Sequence, residues 1–168
     1  MTIRRAAAGD FPAVLALNAE SVQFLSPLTL QRLTQLHREA ALHLVVEGPD
    51  GIAGFLLAFR ERAAYDSVNY RWFDQRYARF LYVDRVVVAP TNQGAGIGSR
   101  LYVQVFETAH RDEVPYVTCE FDVDPPNPVS ERFHARFEFQ EVGRQQVAGG
   151  KKTVSLQVAR VESMEVAG

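Results

Sequence analysis

The stretch Val86-Val87-Val88-Ala89-Pro90-Thr91-Asn92-Gln93-Gly94-Ala95-Gly96-Ile97-Gly98-Ser99-Arg100-Leu101 leaves this chain fewer structural options than any other: a β-type run, a glycine-rich turn, then a helix. Leu101, Tyr102, Val105, Phe106 and Ala109 recur at helical spacing, and His110-Arg111 closes the helix where positive charge suits the dipole. Consecutive backbone N–H groups in such a turn can converge on an anion, and the helix that begins there adds the positive end of its dipole. A phosphate-bearing ligand is therefore implied. A nucleotide P-loop is not matched, because the turn contains no lysine. A dinucleotide fingerprint fits poorly, since Ser99 stands where its third glycine belongs and five residues separate Val88 from Gly94. Glycines that only make a tight turn are the plainer alternative.

The rest of the chain bounds what can surround this turn. A length of 168 residues fits one domain spanning 1–168, and 47% hydrophobic with 23% charged residues supports a packed core. A formal net charge of −2 argues against a nucleic-acid or anionic-membrane binder, which needs a basic excess. The single cysteine, Cys119, excludes an intrachain disulfide framework and a multi-cysteine metal site, so no metal is expected. Cys119 lies on an apolar run without a paired histidine and reads as a core residue. No apolar run reaches signal-peptide or membrane-span length, and a cytoplasmic protein is expected.

Periodicity gives the element order. A short strand at 2–5 leads into a helix with Phe11, Val14, Leu15 and Leu17, and a second amphipathic helix carries Leu28, Leu30, Leu33 and Leu36. Residues 42–47 and 52–60 read as a hairpin around Gly48-Pro49-Asp50-Gly51. Residues 61–79 mix Tyr65, Tyr70, Trp72, Phe73 and Tyr77 with Arg62, Arg71, Arg76 and Arg79 and read as a long functional loop. Strands are expected at 80–88 and 114–123, a short helix at 129–137, and a closing hairpin from 141–147 and 153–161, with 162–168 frayed. No repeat is present, so the fold class is α/β or α+β.

Gln93-Gly94-Ala95-Gly96-Ile97-Gly98 resembles the Gln/Arg-x-x-Gly-x-Gly/Ala signature of the GNAT superfamily of acyl-CoA-dependent N-acyltransferases. The likeness continues through Asn127, Ser130 and Phe133-His134-Ala135-Arg136-Phe137-Glu138-Phe139 and covers about residues 80 to 145 closely. It implies a mixed, mostly antiparallel sheet flanked by helices and splayed beside the cofactor strand, and acetyl-CoA as acyl donor. By the same resemblance Gln93, Gly94, Ala95, Gly96, Gly98 and Ser99 would cradle the pyrophosphate, Val86 and Val88 would pair with the pantetheine arm, and Asn127 would touch that arm from the other side. Arg100 reads equally as a phosphate contact or as a solvated helix residue.

Acyl transfer from a thioester to an amine needs a proton acceptor, a donor to the developing oxyanion and a proton source for the thiolate. Strict alternation along 80–88 puts Tyr82, Asp84, Val86 and Val88 on one face. Asp84 matches the position where members resembling the spermidine/spermine acetyltransferases carry a carboxylate, and it reads as general base or as the partner of a nearby arginine such as Arg79. Glu120 is the alternative base, and Asp122 and Asp124, on the same face, read as solvated surface. His134 stands where the family usually has its general-acid tyrosine, and Glu138 where it has a glycine. Three alternatives stand for the acid: His134 itself, Tyr82 as a substitute, or departure of the thiolate without a side-chain acid. The backbone N–H groups of Val86 to Val88 would hold the oxyanion. The aromatic and arginine-rich segment suits a small-molecule amine, ahead of a protein amino group; it also suits a dimer contact, so a homodimer is possible. A non-catalytic acyl-CoA sensor and a nucleotide-dependent oxidoreductase are the rival functions.

Overall fold

The computed structural model describes residues 1–21 and 25–162. Seven strands form one sheet: β1 (Thr2–Arg5), β2 (Leu42–Gly48), β3 (Gly51–Arg60), β4 (Leu81–Val88), β5 (Tyr116–Asp124), β6 (Gln140–Val147) and β7 (Lys152–Arg160). Their order is β1-β2-β3-β4-β5-β7-β6, antiparallel at every pair except β4 against β5. The helices are α1 (Phe11–Ala19), α2 (Leu30–Glu39), α3 (Val68–Asp74), α4 (Ile97–Arg111) and α5 (Pro128–Ala135). The fold is the mixed, mostly antiparallel α/β architecture expected.

Both faces of the sheet are covered, so its central strands read as nearly continuous apolar runs. Phe55, Leu57 and Phe59 of β3 join Phe11, Val14, Leu33, Leu36, Tyr70 and Phe73 under α1–α3. Leu56 and Ala58 of the same strand join Ile97, Leu101, Tyr102 and Val105 under α4. Among the described residues no helix is long and apolar enough to cross a membrane.

Two features differ from the sequence reading. Residues 61–79 are not a structureless loop, because α3 forms inside them. Ser67 caps it by accepting from the Tyr70 N–H at 3.3 Å, and Tyr70 and Phe73, three apart, bury one stripe. Trp72 seats this helix on β6, where a Cβ on Gly143 would lie 2.6 Å from Trp72 Cζ2. The second difference is a bulge in β4. Leu57 opposes Arg85 while Ala58 opposes Val83, leaving Asp84 without a partner on β3. Alternation breaks there, so Tyr82 packs on the α1–α3 face while Val86 and Val88 pack toward α4. The frayed tail expected at 162–168 lies outside the described residues apart from Glu162.

Candidate active site

β4 and β5 pair only at Leu81–Val117 and Tyr82–Thr118. Beyond that point they part, and the gap opens a cleft of about 1720 Å³ through the sheet. Asp84 to Val88 form one wall, Cys119 to Asp122 the other, and the glycine turn with Asn127 and His134 closes the α4–α5 end. The separated edge of β4 offers backbone groups to an extended ligand, as a sheet edge does to a peptide. Val86 and Val88 are half-buried there while Val87 is buried on the opposite face.

The glycine turn has the conformation its sequence demands. Gly94 and Gly96 have φ of 87° and 75°, and Gly96 serves as N-cap of α4 with no side-chain cap, so the first amides of a fifteen-residue helix face the cleft end. A Cβ at Gly94 or Gly96 would meet nothing within 4 Å, so these positions serve backbone conformation and ligand approach, not internal packing. Gly98 instead lies under Phe133 of α5, whose ring would sit 3.4 Å from an added Cβ. Gln93, Gly94, Gly96, Gly98, Ser99 and Asn127 all line the cleft. Ala95, exposed within the same turn, is absent from that lining. Asn127 Oδ1 caps α5 by accepting from the Ser130 N–H at 3.3 Å. Arg100 donates to the Met1 carbonyl oxygen at 3.3 Å, a tie within the protein.

On the α1–α3 side, Glu120 reaches the cleft half-buried, with the Tyr82 hydroxyl 2.9 and 2.8 Å from its two oxygens. Burial is the main influence on this carboxyl and, with the Asp84 charge, it outweighs the hydrogen bonds from Tyr82 and Asn69 and the Arg85 charge; its pKa is pushed up to about 8. Tyr82 itself is fully buried, and burial followed by the Glu120 charge raises its pKa well above the ordinary phenol value. The expectation that Tyr82 shares the cofactor-facing side with Val86 and Val88 is corrected by the β4 bulge. Its hydroxyl serves Glu120.

Asp84 is engaged on both oxygens. Oδ1 accepts from the Tyr65 hydroxyl at 2.5 Å and Oδ2 from Arg85 Nε at 2.7 Å, and both side chains of the ion pair are only 6% exposed. Its arginine is thus Arg85, not Arg79, which donates instead to the Asp112 carbonyl oxygen. Arg85 continues to Asn18 Oδ1 at 3.1 Å and the Ser26 carbonyl at 3.2 Å, tying α1 and the chain before α2 to β4. Burial alone would lower the Arg85 pKa, but the Asp84 charge and hydrogen bond leave it raised.

His134 is buried with both ring nitrogens occupied. Nδ1 lies 2.7 Å from the Ser130 carbonyl oxygen, which fixes the proton on Nδ1, and Nε2 then accepts from the Tyr102 hydroxyl at 2.7 Å. Burial lowers its pKa, keeping the ring neutral. Phe121 stacks on it with ring centroids 5.6 Å apart. Cys119 is a buried free thiol in the core under α4. Asp122 pairs with Lys152 at 3.5 Å, whereas Asp124 is exposed. Tyr65, Asn69, Arg85 and Tyr102 escape sequence reasoning because their roles arise from tertiary neighbours. Only the spacing of Ser67, Tyr70, Phe73 and Tyr77 could have located the helix that carries Asn69.

The acetyltransferase (GNAT) family profile matches residues 11–139, most of the chain and both walls of the cleft. The chain belongs to the GNAT acetyltransferase family. Over 66 residues it is 38% identical to a phosphinothricin N-acetyltransferase of Streptomyces coelicolor, a match spanning 39% of this chain and only 37% of that protein. Among solved structures, Naa20 of Chaetomium thermophilum with a bisubstrate analogue superimposes with a TM-score of 0.77 at 17% identity, covering 97% of this chain and 88% of that one. The yncA protein of Salmonella typhimurium, solved with its cofactor acetyl-CoA, gives 0.73 at 18% identity, covering 96% and 94%. At such identities the likeness concerns the fold.

Proposed function

We propose that this GNAT protein transfers an acetyl group from acetyl-CoA to the primary amine of a small molecule, by direct attack in a ternary complex. The observation that carries the proposal is the position of Glu120: a carboxylate in the cleft wall, hydrogen-bonded by the Tyr82 hydroxyl, across the split sheet from the start of α4, which has no side-chain cap. The glycine turn and the first turn of α4 suit the pyrophosphate, and the freed edge of β4 at Val86 and Val88 suits the pantetheine arm. The acceptor enters from the α1–α3 side. Glu120 takes a proton from the ammonium, and the neutral nitrogen attacks the thioester carbon. Backbone N–H groups of Val86 to Val88 stabilise the charge that develops on the carbonyl oxygen; as the tetrahedral intermediate collapses, the C–S bond breaks with its electron pair on sulfur, CoA leaves as the thiolate, and the nitrogen gives its surplus proton to water.

Asp84 in this reading is a positioning residue that holds Arg85 and Tyr65, since its charge is paired with Arg85 and its side chain is only 6% exposed. His134 likewise anchors α5 against Tyr102, and the thiolate leaves without a proton from the imidazole. A small acceptor is supported by the ion pair between Arg32 of α2 and Asp66 ahead of α3, which bridges the acceptor side where an extended peptide would lie, and by the name of the Streptomyces relative. Steady-state kinetics with acetyl-CoA against a panel of small amines and N-terminal peptides tests the proposal. Turnover of a small amine, with Glu120→Gln lowering kcat/KM by about 10²–10⁴-fold, is expected. Full activity in Glu120→Gln, or acetylation of peptides alone, contradicts it.

A further inference from the structure

The cleft carries its charges differently at its two ends. The lysines and arginines that line it are Arg32, Arg85, Arg132, Arg136 and Lys152. Arg132 and Arg136, on and just past α5 at the glycine-turn end, make no ion pair among the described residues. On the α1–α3 side every cation is engaged: Arg32 pairs with Asp66, Arg85 with Asp84 at 2.7 Å and Lys152 with Asp122 at 3.5 Å. The acids lining the cleft are those three and Glu120, which takes its hydrogen bonds from Tyr82 and has no ion-pair partner among the described residues. The arginines of 61–79, which the sequence offers as anchors for an anionic acceptor, are turned elsewhere, and none lines the cleft. Arg62 donates to the Ala78 carbonyl oxygen, Arg76 lies 4.0 Å over the Trp72 ring, Arg79 reaches the Asp112 carbonyl oxygen, and Arg71 lines a separate groove between α2 and α3.

We propose that the acceptor is an alkylamine or arylalkylamine with no carboxylate beside its nitrogen, and that these three ion pairs exclude the corresponding amino acid. This choice of acceptor rests on the acetyl transfer proposed above, with entry from the α1–α3 side. An amino acid brought amine-first to Glu120 carries its carboxylate one carbon away from the nitrogen. To neutralise that charge it must displace Asp66, Asp84 or Asp122 from its cation, an exchange of one carboxylate for another that gains little and, at Asp84, breaks a buried pair. Left unneutralised, it stands as a like charge beside Glu120 in a cleft that sheds water on binding. An alkyl or aryl group incurs neither cost. It meets Leu25, Leu28, Val147 and Val154, which line the cleft and pack on the core under α1–α3. Glu120, the unpaired acid on that side, draws the ammonium.

The test is isothermal titration calorimetry on the whole protein with CoA present, comparing isoamylamine with L-leucine and phenethylamine with L-phenylalanine, pairs that differ only in the carboxylate. At least one amine should bind, about a hundredfold or more tighter than its amino acid. L-leucinamide and L-phenylalaninamide, with the bulk of the amino acids but no negative charge, should bind more like the amines. Asp66→Asn frees Arg32 for a substrate carboxylate and should narrow the ratio by about tenfold, a change that a merely structural Asp66 does not produce. The Asp66 side chain is 67% exposed, so this variant should fold. Equal or tighter binding of the amino acids, no binding of either amine, amides as weak as the amino acids, or a ratio unmoved by Asp66→Asn would overturn the proposal. Turnover with acetyl-CoA separates it from the reaction beneath it. An amine that binds as expected and is not acetylated contradicts the transfer reaction and leaves the acceptor class standing, whereas acetylation of L-leucine or L-phenylalanine as fast as its amine keeps the reaction and overturns the acceptor class.

Discussion

Replacing Asp84 by Asn separates a base from a strut. The substitution keeps shape and one acceptor oxygen but removes the charge opposite Arg85, leaving a guanidinium that is 6% exposed without its ion-pair partner. It also presents an NH2 group either to Arg85 Nε or to the Tyr65 hydroxyl, each of which now donates to a carboxylate oxygen. Removing one member of a buried pair costs about 3–5 kcal/mol. Since Asn keeps one of the two acceptors, about 3 kcal/mol is the expected loss, or roughly 6–12 °C in Tm for a chain of this size. The catalytic expectation is different in kind. Below the melting range the folded variant should keep kcat/KM within about tenfold of wild type. Its acid limb should move to lower pH, because the Asp84 charge raises the Glu120 pKa and the Arg85 charge lowers it. Thermal denaturation and pH–rate profiles on one preparation give both answers. A Tm within about 2 °C of wild type together with a loss of about 10²-fold or more and no acid limb would make Asp84 the base and rule out a purely structural role.

Two further outcomes follow from residues away from the chemistry. Burial first, and the neighbouring His37 second, push the His43 pKa down to about 4 from 6.5, so the unfolded chain binds the proton more readily. Its stability contribution is complete above pH 6.5 and is lost as pH falls toward 4, by about 3 kcal/mol at most; His43→Phe should therefore lose less stability than wild type between about pH 7 and 4.5 in urea titrations, and an equal loss would contradict the assignment. Glu138, in the place of the family's glycine, has φ of 63° with an exposed side chain. Glu138→Gly should relieve about 1–2 kcal/mol of left-handed strain against about 0.5–1 kcal/mol of added chain entropy, raising Tm by a few degrees, whereas a lower Tm would show that the backbone there is not strained.

Much of this architecture was legible in the sequence because local physics decides it. The Gly94-to-Gly98 turn ahead of Leu101, Tyr102 and Val105 can only start a helix, and Gly48 to Gly51 can only reverse a strand pair. What escaped was set by distant neighbours. Strict alternation placed Tyr82 beside Val86, and only pairing with β3 reveals the bulge at Asp84. Asp84 stood out as a charge on an apolar strand, but that description fits a buried ion pair as well as a base. His134 could be matched to the family's tyrosine, yet its committed nitrogens depend on Tyr102, thirty-two positions away. Glu120 gained its importance from Tyr82 across the splay.

Binding of acetyl-CoA in the cleft at the glycine turn underlies every catalytic role assigned above, and thermal unfolding of the purified protein against acetyl-CoA, CoA, NADH and ATP probes it without need of the acceptor. A ligand that binds only the native state at about a hundred times its Kd stabilises by about 2.7 kcal/mol, roughly 5–11 °C here. Tm should climb with the concentration of acetyl-CoA and CoA and stay fixed with the other two. No shift with either thioester or thiol, or a shift with NADH, would contradict the acetyl-CoA assignment.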